Sequence, residues 1–158
     1  MINVGWLSTH ESSSSGGFRN AILSQHDMLR GLLAEAVDLA APRLMSRAEL
    51  EALRERVRGV YVMLEDHLAF EEHAFPQALR DVIGWGPVLQ AQIEESHARQ
   101  RRALADAFRA LEPGALSPAQ LSCEVRALAA ALLTDIDGED DALLNADLDA
   151  IATDSEGG

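Results

Sequence analysis

The chain has 158 residues, 26 acidic against 13 basic, a net charge of −13, and 47% hydrophobic but only 4% aromatic residues. Such a charge argues against nucleic acid and anionic membranes as partners. The single Cys123 excludes an internal disulfide and fits a reducing compartment. Residues 1–9 show no secretory signal pattern, and the longest apolar run, 127–133, is too short to span a bilayer, so the expectation is a cytoplasmic chain. Every basic residue is Arg, read as base-composition bias without functional weight. The length suits one domain, and the abundance of Ala, Leu, Glu and Arg is a helical composition.

Residues 1–17 end in Ser12 to Ser15, Gly16 and Gly17 and read as a flexible leader, with His10 an exposed histidine. A first helix is expected from Phe18 to Ala41. It carries an apolar stripe of Ile22, Leu29, Leu33 and Val37, is stopped by Pro42, and has His26 on that stripe.

Ser46, Arg47, Ala48 and Glu49 form a capping box that opens a second helix. Its stripe runs through Leu50, Leu53, Val57, Val60 and Leu64 into His67, Glu71 and Phe75, with Pro76 marking a kink or an end and residues to Arg80 a last turn. Glu72 points away from the Glu71 face, either as a group behind the site or exposed, and His73 reads as a surface residue. Tyr61 reads as core or rim packing.

After Gly84, Trp85, Gly86 and Pro87, a third helix carries Leu89, Ile93, His97, Leu104, Phe108 and Leu111. Glu94 shares the His97 face but by itself reads as an exposed carboxylate, and Arg99, Arg101 and Arg102 read as a solvated face. Pro113 and Gly114 break the chain. Ser117, Pro118 and Gln120 then supply an N-cap, a first-turn proline and an N3 partner for a fourth helix reaching Asn145. Its stripe of Leu121, Val125, Leu128, Leu132 and Leu143 includes Asp135 and Glu139. Cys123 reads as an inert buried thiol, and residues 146–158 as a loosely ordered acidic tail.

Histidine and acid four residues apart on a helix differ by about 40° of rotation and roughly 6 Å of rise, so both side chains reach one point. His67 with Glu71 and Asp135 with Glu139 both have this spacing, each on an apolar stripe. In an up-down-up-down antiparallel bundle, His26, His67, His97 and Asp135 share one level, about 12 to 15 Å inside one end. Three carboxylates buried at that level, with no Lys or Arg on those stripes, would be costly without cations. Three imidazoles with three carboxylates suit iron, manganese or zinc better than calcium or magnesium. The expected metal ligands are thus His26, His67, Glu71, His97, Asp135 and Glu139.

Over residues 18–145 this pattern resembles the hemerythrin-like (HHE cation-binding) domain. His26 matches the family's lone first-helix histidine, His67 and Glu71 its histidine-x-x-x-glutamate, and His97 its third-helix histidine. Asp135 and Glu139 match the second histidine-x-x-x-glutamate, with Asp135 in place of a histidine. The resemblance implies an all-α four-helix bundle around a non-haem di-iron centre bridged by the carboxylates. It also implies roles in binding O₂ or a related diatomic or peroxide ligand, in sensing, or in iron storage. Oxygen carriers of this family place a further histidine one turn before the third-helix one, where this chain has Ile93 and Glu94. Harder anionic ligands favour ferric iron, which argues against reversible O₂ carriage and for a sensor, scavenger or store. A di-iron oxidase or peroxidase-like enzyme and a metal-free interaction module are the competing readings.

Overall fold

The computed structural model describes residues 15–40, 43–78 and 86–145. Residues 1–14, with His10, and the expected acidic tail lie outside them, as do Pro42 and Arg80. Four helices occupy nearly all of the described chain: α1 (Ser15–Leu39), α2 (Arg47–Ala78), α3 (Gly86–Ala110) and α4 (Pro118–Asn145). Each packs on two neighbours, α1 on α2 and α4, α3 on α2 and α4, which closes a four-sided antiparallel bundle.

The helices start where local chemistry says they should. Ser46 Oγ accepts from the Glu49 amide at 3.2 Å while a Glu49 carboxylate oxygen accepts from the Ser46 amide at 2.8 Å. Ser117 and Gln120 repeat the exchange at 3.3 and 3.0 Å ahead of α4. In both boxes two otherwise unpaired helix-end amides are satisfied. Arg54 on α2 donates to the Leu111 carbonyl, at 2.9 Å from Nε and 2.6 Å from Nη2, binding the end of α3 to its neighbour. Gly114 follows with φ of 77°, the left-handed turn that reverses the chain toward α4.

One boundary differs from the sequence reading. α1 begins at Ser15, so the segment expected as leader contributes its last three residues to the helix. Gly16 and Gly17 fall in its first turn. α2 runs through Pro76 to Ala78, the continuation that the sequence reading allowed.

The core is aliphatic. Leu29, Leu33, Leu53, Val57, Val60, Leu64, Leu68, Leu104, Leu128, Leu132 and Ile136 are buried around the bundle axis. Cys123 is exposed, correcting the expected buried thiol. It lies two residues, about 200° of turn, from both inward-facing Leu121 and Val125. Tyr61 is half-exposed and meets the Phe108 ring edge-on at 5.6 Å, a rim contact. Among the described residues no helix is long and apolar enough to cross a membrane.

Candidate metal centre

One polar cluster interrupts this core. His26, His67 and Glu71 are fully buried, His97 is 1% exposed, and the Glu139 side chain 13% exposed. His26 and His97 lie at the middle of α1 and α3, and His67, Glu71 and Glu139 in the second half of α2 and α4, so they stand at one level because neighbouring helices run in opposite directions. The register argument from the sequence thus brings four helices to one point.

Four atoms lie within 4.8 Å of one another: one from each of His26, His67, Glu71 and Glu139. The two imidazole Nε2 atoms are 3.0 Å apart. His26 Nε2 is 3.3 Å from Glu139 Oε2 and 4.0 Å from Glu71 Oε1. His67 Nε2 is 3.4 Å from Glu71 Oε1 and 4.0 Å from Glu139 Oε2. Donors bound at about 2.1 Å to a tetrahedral ion stand about 3.4 Å apart, so a transition metal or zinc fits inside this polyhedron with little adjustment.

The far side of each histidine explains which nitrogen faces inward. His26 Nδ1 lies 2.5 Å from Asp140 Oδ1, His67 Nδ1 2.8 Å from Gln25 Oε1, and His97 Nδ1 3.1 Å from Glu72 Oε1. All three partners are acceptors, so each Nδ1 donates; His26 and His67 turn Nε2 into the cluster, where an ion would take the lone pair, whereas His97 Nε2 faces a further acceptor, Glu71 Oε2. Two such lone pairs 3.0 Å apart repel unless a proton or a cation lies between them. Metal-bound histidines are held from behind by carboxylates and carbonyls in this way. Outer cations fix the holders in turn: Arg30 reaches Asp140 at 2.5 Å and Asp137 at 2.7 Å, and Arg101 reaches Glu72 at 2.8 Å.

The carboxylates carry the complementary signal. Glu71 Oε1 and Glu139 Oε2, the oxygens facing the two imidazoles, are buried without a hydrogen-bond partner. Buried polar atoms are rarely left so. Their other oxygens are engaged: Glu71 Oε2 by His97 Nε2 at 2.9 Å, and Glu139 Oε1 by Ser96 Oγ and Gln100 Nε2, each at 3.3 Å. Without an ion, protons take up the strain. Burial disfavours the charged form of His26, but Glu139 and Asp140 outweigh it and its pKa is raised; Glu71 and Glu72 do the same for His97 against its burial. Burial pushes the Glu139 carboxyl up, yet His26 and His67 bring it down to about 2. The donor chemistry fits a cation: two imidazole nitrogens and two carboxylate oxygens without hydrogen-bond partners converge in a largely buried site.

The remaining sequence candidates separate. His97 joins the cluster through Glu71, which spans from the His26 and His67 pocket to the His97 ring. Asp135 is not brought into the four-atom group; its Oδ1 accepts from Arg99 at 3.3 Å, one turn before Glu139. Arg99 and Arg101, read from sequence as a solvated face, are therefore ion-pair partners of Asp135 and Glu72. Glu94 is exposed and accepts from Gln90 at 3.1 Å, and His73 is exposed. Sequence reasoning missed Gln25, Asp140, Ser96 and Gln100. Gln25 immediately precedes His26 and Asp140 immediately follows Glu139, but neighbouring positions on a helix face about 100° apart, so stripe counting assigns them outside.

An all-α bundle that buries imidazoles and carboxylates from its helices at one level is a cation-binding helical protein. The family model of the hemerythrin HHE cation-binding domain matches residues 18–146, and the chain belongs to that family. Comparison with curated proteins finds no match. Comparison with solved structures finds none either.

Proposed function

We propose that this protein is a non-haem iron protein whose di-iron centre binds O₂ or a related small molecule, as a sensor, scavenger or iron store. The observation that carries the reading is the pair of buried oxygens without a hydrogen-bond partner, Glu71 Oε1 and Glu139 Oε2, facing two imidazole Nε2 atoms 3.0 Å apart. In this reading His26, His67, Glu71 and Glu139 would hold one ion, and the second Glu71 oxygen would serve a position beside His97. Asp135 would serve that second position only by releasing Arg99. Mixed imidazole and carboxylate donors favour iron, with manganese or zinc able to occupy the same ligands.

When bound, iron supplies redox chemistry and open coordination positions for a small ligand. The chain's own part is to hold and to exclude. Asp140, Gln25 and Glu72 fix the three rings, and the aliphatic walls keep bulk water away. A cavity of about 60 Å³ borders Glu71 and is lined also by Glu72, Pro76, Gln90, Ile93 and Glu94. Roughly 10–15 Å³ of such space holds one water, so this cleft has room for a small ligand beside Glu71.

Aerobic purification from iron-replete cells tests the proposal. The expected product carries iron, up to two per chain, with a visible ligand-to-iron charge-transfer band that responds to reduction and re-exposure to O₂. Colourless, iron-free protein from such cells contradicts it.

A further inference from the structure

Resting on the metal-binding reading above, we infer that the two metal positions are unequal. The His26, His67, Glu71 and Glu139 pocket fills first and tightly. The position beside His97 fills only at higher metal concentration, because Gln100 and Ser96 hold the second Glu139 oxygen.

The asymmetry lies in what each carboxylate does with its second oxygen. Glu71 directs Oε1 toward His26 and His67 and Oε2 toward His97, so it has one donor for each position. Glu139 directs Oε2 toward His26, but its Oε1 accepts from both Ser96 Oγ and Gln100 Nε2. Those two donors flank His97 on α3, one residue before it and three after, and the Glu139 charge is felt at the His97 ring. The oxygen that could bridge is thereby occupied by neutral hydrogen-bond donors. Gln100 is itself clamped, donating to Ser96 Oγ at 3.3 Å and 1% exposed.

Counting donors then orders the sites. The first position has two imidazoles and two free carboxylate oxygens within 4.8 Å. The second has one imidazole and the Glu71 oxygen already bonded to it, with Asp135 drawn off by Arg99. The Glu71 cavity on the adjoining side holds two more carboxylates, but Glu72 is engaged by Arg101 and His97 and Glu94 by Gln90. Gln100 is thus a positioning residue: it acts on the metal only through Glu139.

Titrating the metal-free full chain with Co²⁺, by calorimetry and visible absorbance, tests this, since Co²⁺ takes similar ligands and reports its geometry. The expected isotherm has two steps, the second weaker by at least about tenfold, the lower range for losing a supporting interaction at a metal site. His97→Ala should remove the second step and keep the first. Gln100→Leu and Ser96→Ala, each verified as folded by circular dichroism before metal is added, should draw the two steps together. Two equal equivalents in the wild type, or an unchanged gap in both clamp variants, overturns the inference while metal binding itself stands. No Co²⁺ binding at all overturns the metal-binding reading and this inference with it.

Discussion

At the residue scale, the behaviour of the centre depends on side chains behind the ligands as much as on the ligands. Asp140 shows why. Its Oδ1 takes the Nδ1 proton of His26 and its Oδ2 takes Arg30, so one carboxylate fixes both the ring's tautomer and its rotation. Asp140→Asn keeps the shape but removes the charge and can turn an amide donor toward His26, which favours the wrong tautomer. Metal affinity measured by competition with a chromophoric chelator should fall by roughly 10- to 100-fold, with apo unfolding little changed. An affinity equal to wild type would show that Asp140 does not orient His26. The same reasoning explains which site residues the sequence revealed. His26, His67, Glu71 and Glu139 were legible because a polar residue on an apolar stripe is anomalous; Gln25 and Asp140 sit beside such residues in sequence and give no anomaly of their own.

At the element scale, the helices were legible because their starts are written in short side-chain exchanges and their buried faces in a single periodicity. The Ser46–Glu49 and Ser117–Gln120 boxes appear as the sequence implies. The boundary that shifted, at Ser15, has no comparable side-chain signal, and helix ends are the least sharply specified part of a helix. Asp135 marks the limit of stripe reasoning: periodicity gives the face of α4, but the Arg99 side chain that captures Asp135 comes from α3. Within α4, Gly138 is exposed and a Cβ there would meet nothing within 4 Å. Gly138→Ala should therefore stabilise the apo protein by about 0.5–1 kcal/mol in urea unfolding, by the helix-propensity difference alone. A loss of stability would mean that α4 needs that glycine beside Glu139 for its backbone path.

At the scale of the whole molecule, the bundle serves two ends that conflict. Burying charged and polar groups at mid-core costs several kcal/mol per ion even after relaxation, and an aliphatic core must absorb it when no metal is present. Bound metal relieves that cost, so the folded state gains stability from any ion that binds it and not the unfolded chain. The fold could be anticipated from four stripes and three breaks. The metal reading could be anticipated from the register, since independent core histidines have no reason to align. What the sequence could not supply was the division of labour among carboxylate oxygens, which depends on sub-ångström placement across helices.

Anomalous diffraction from crystals loaded with iron or zinc decides whether the four converging donors are a metal pocket. The expected peak is enclosed by His26 Nε2, His67 Nε2, Glu71 Oε1 and Glu139 Oε2, about 2.0–2.2 Å from each. A peak confined to surface carboxylates such as Asp137, with those four atoms vacant at saturating metal, would contradict it.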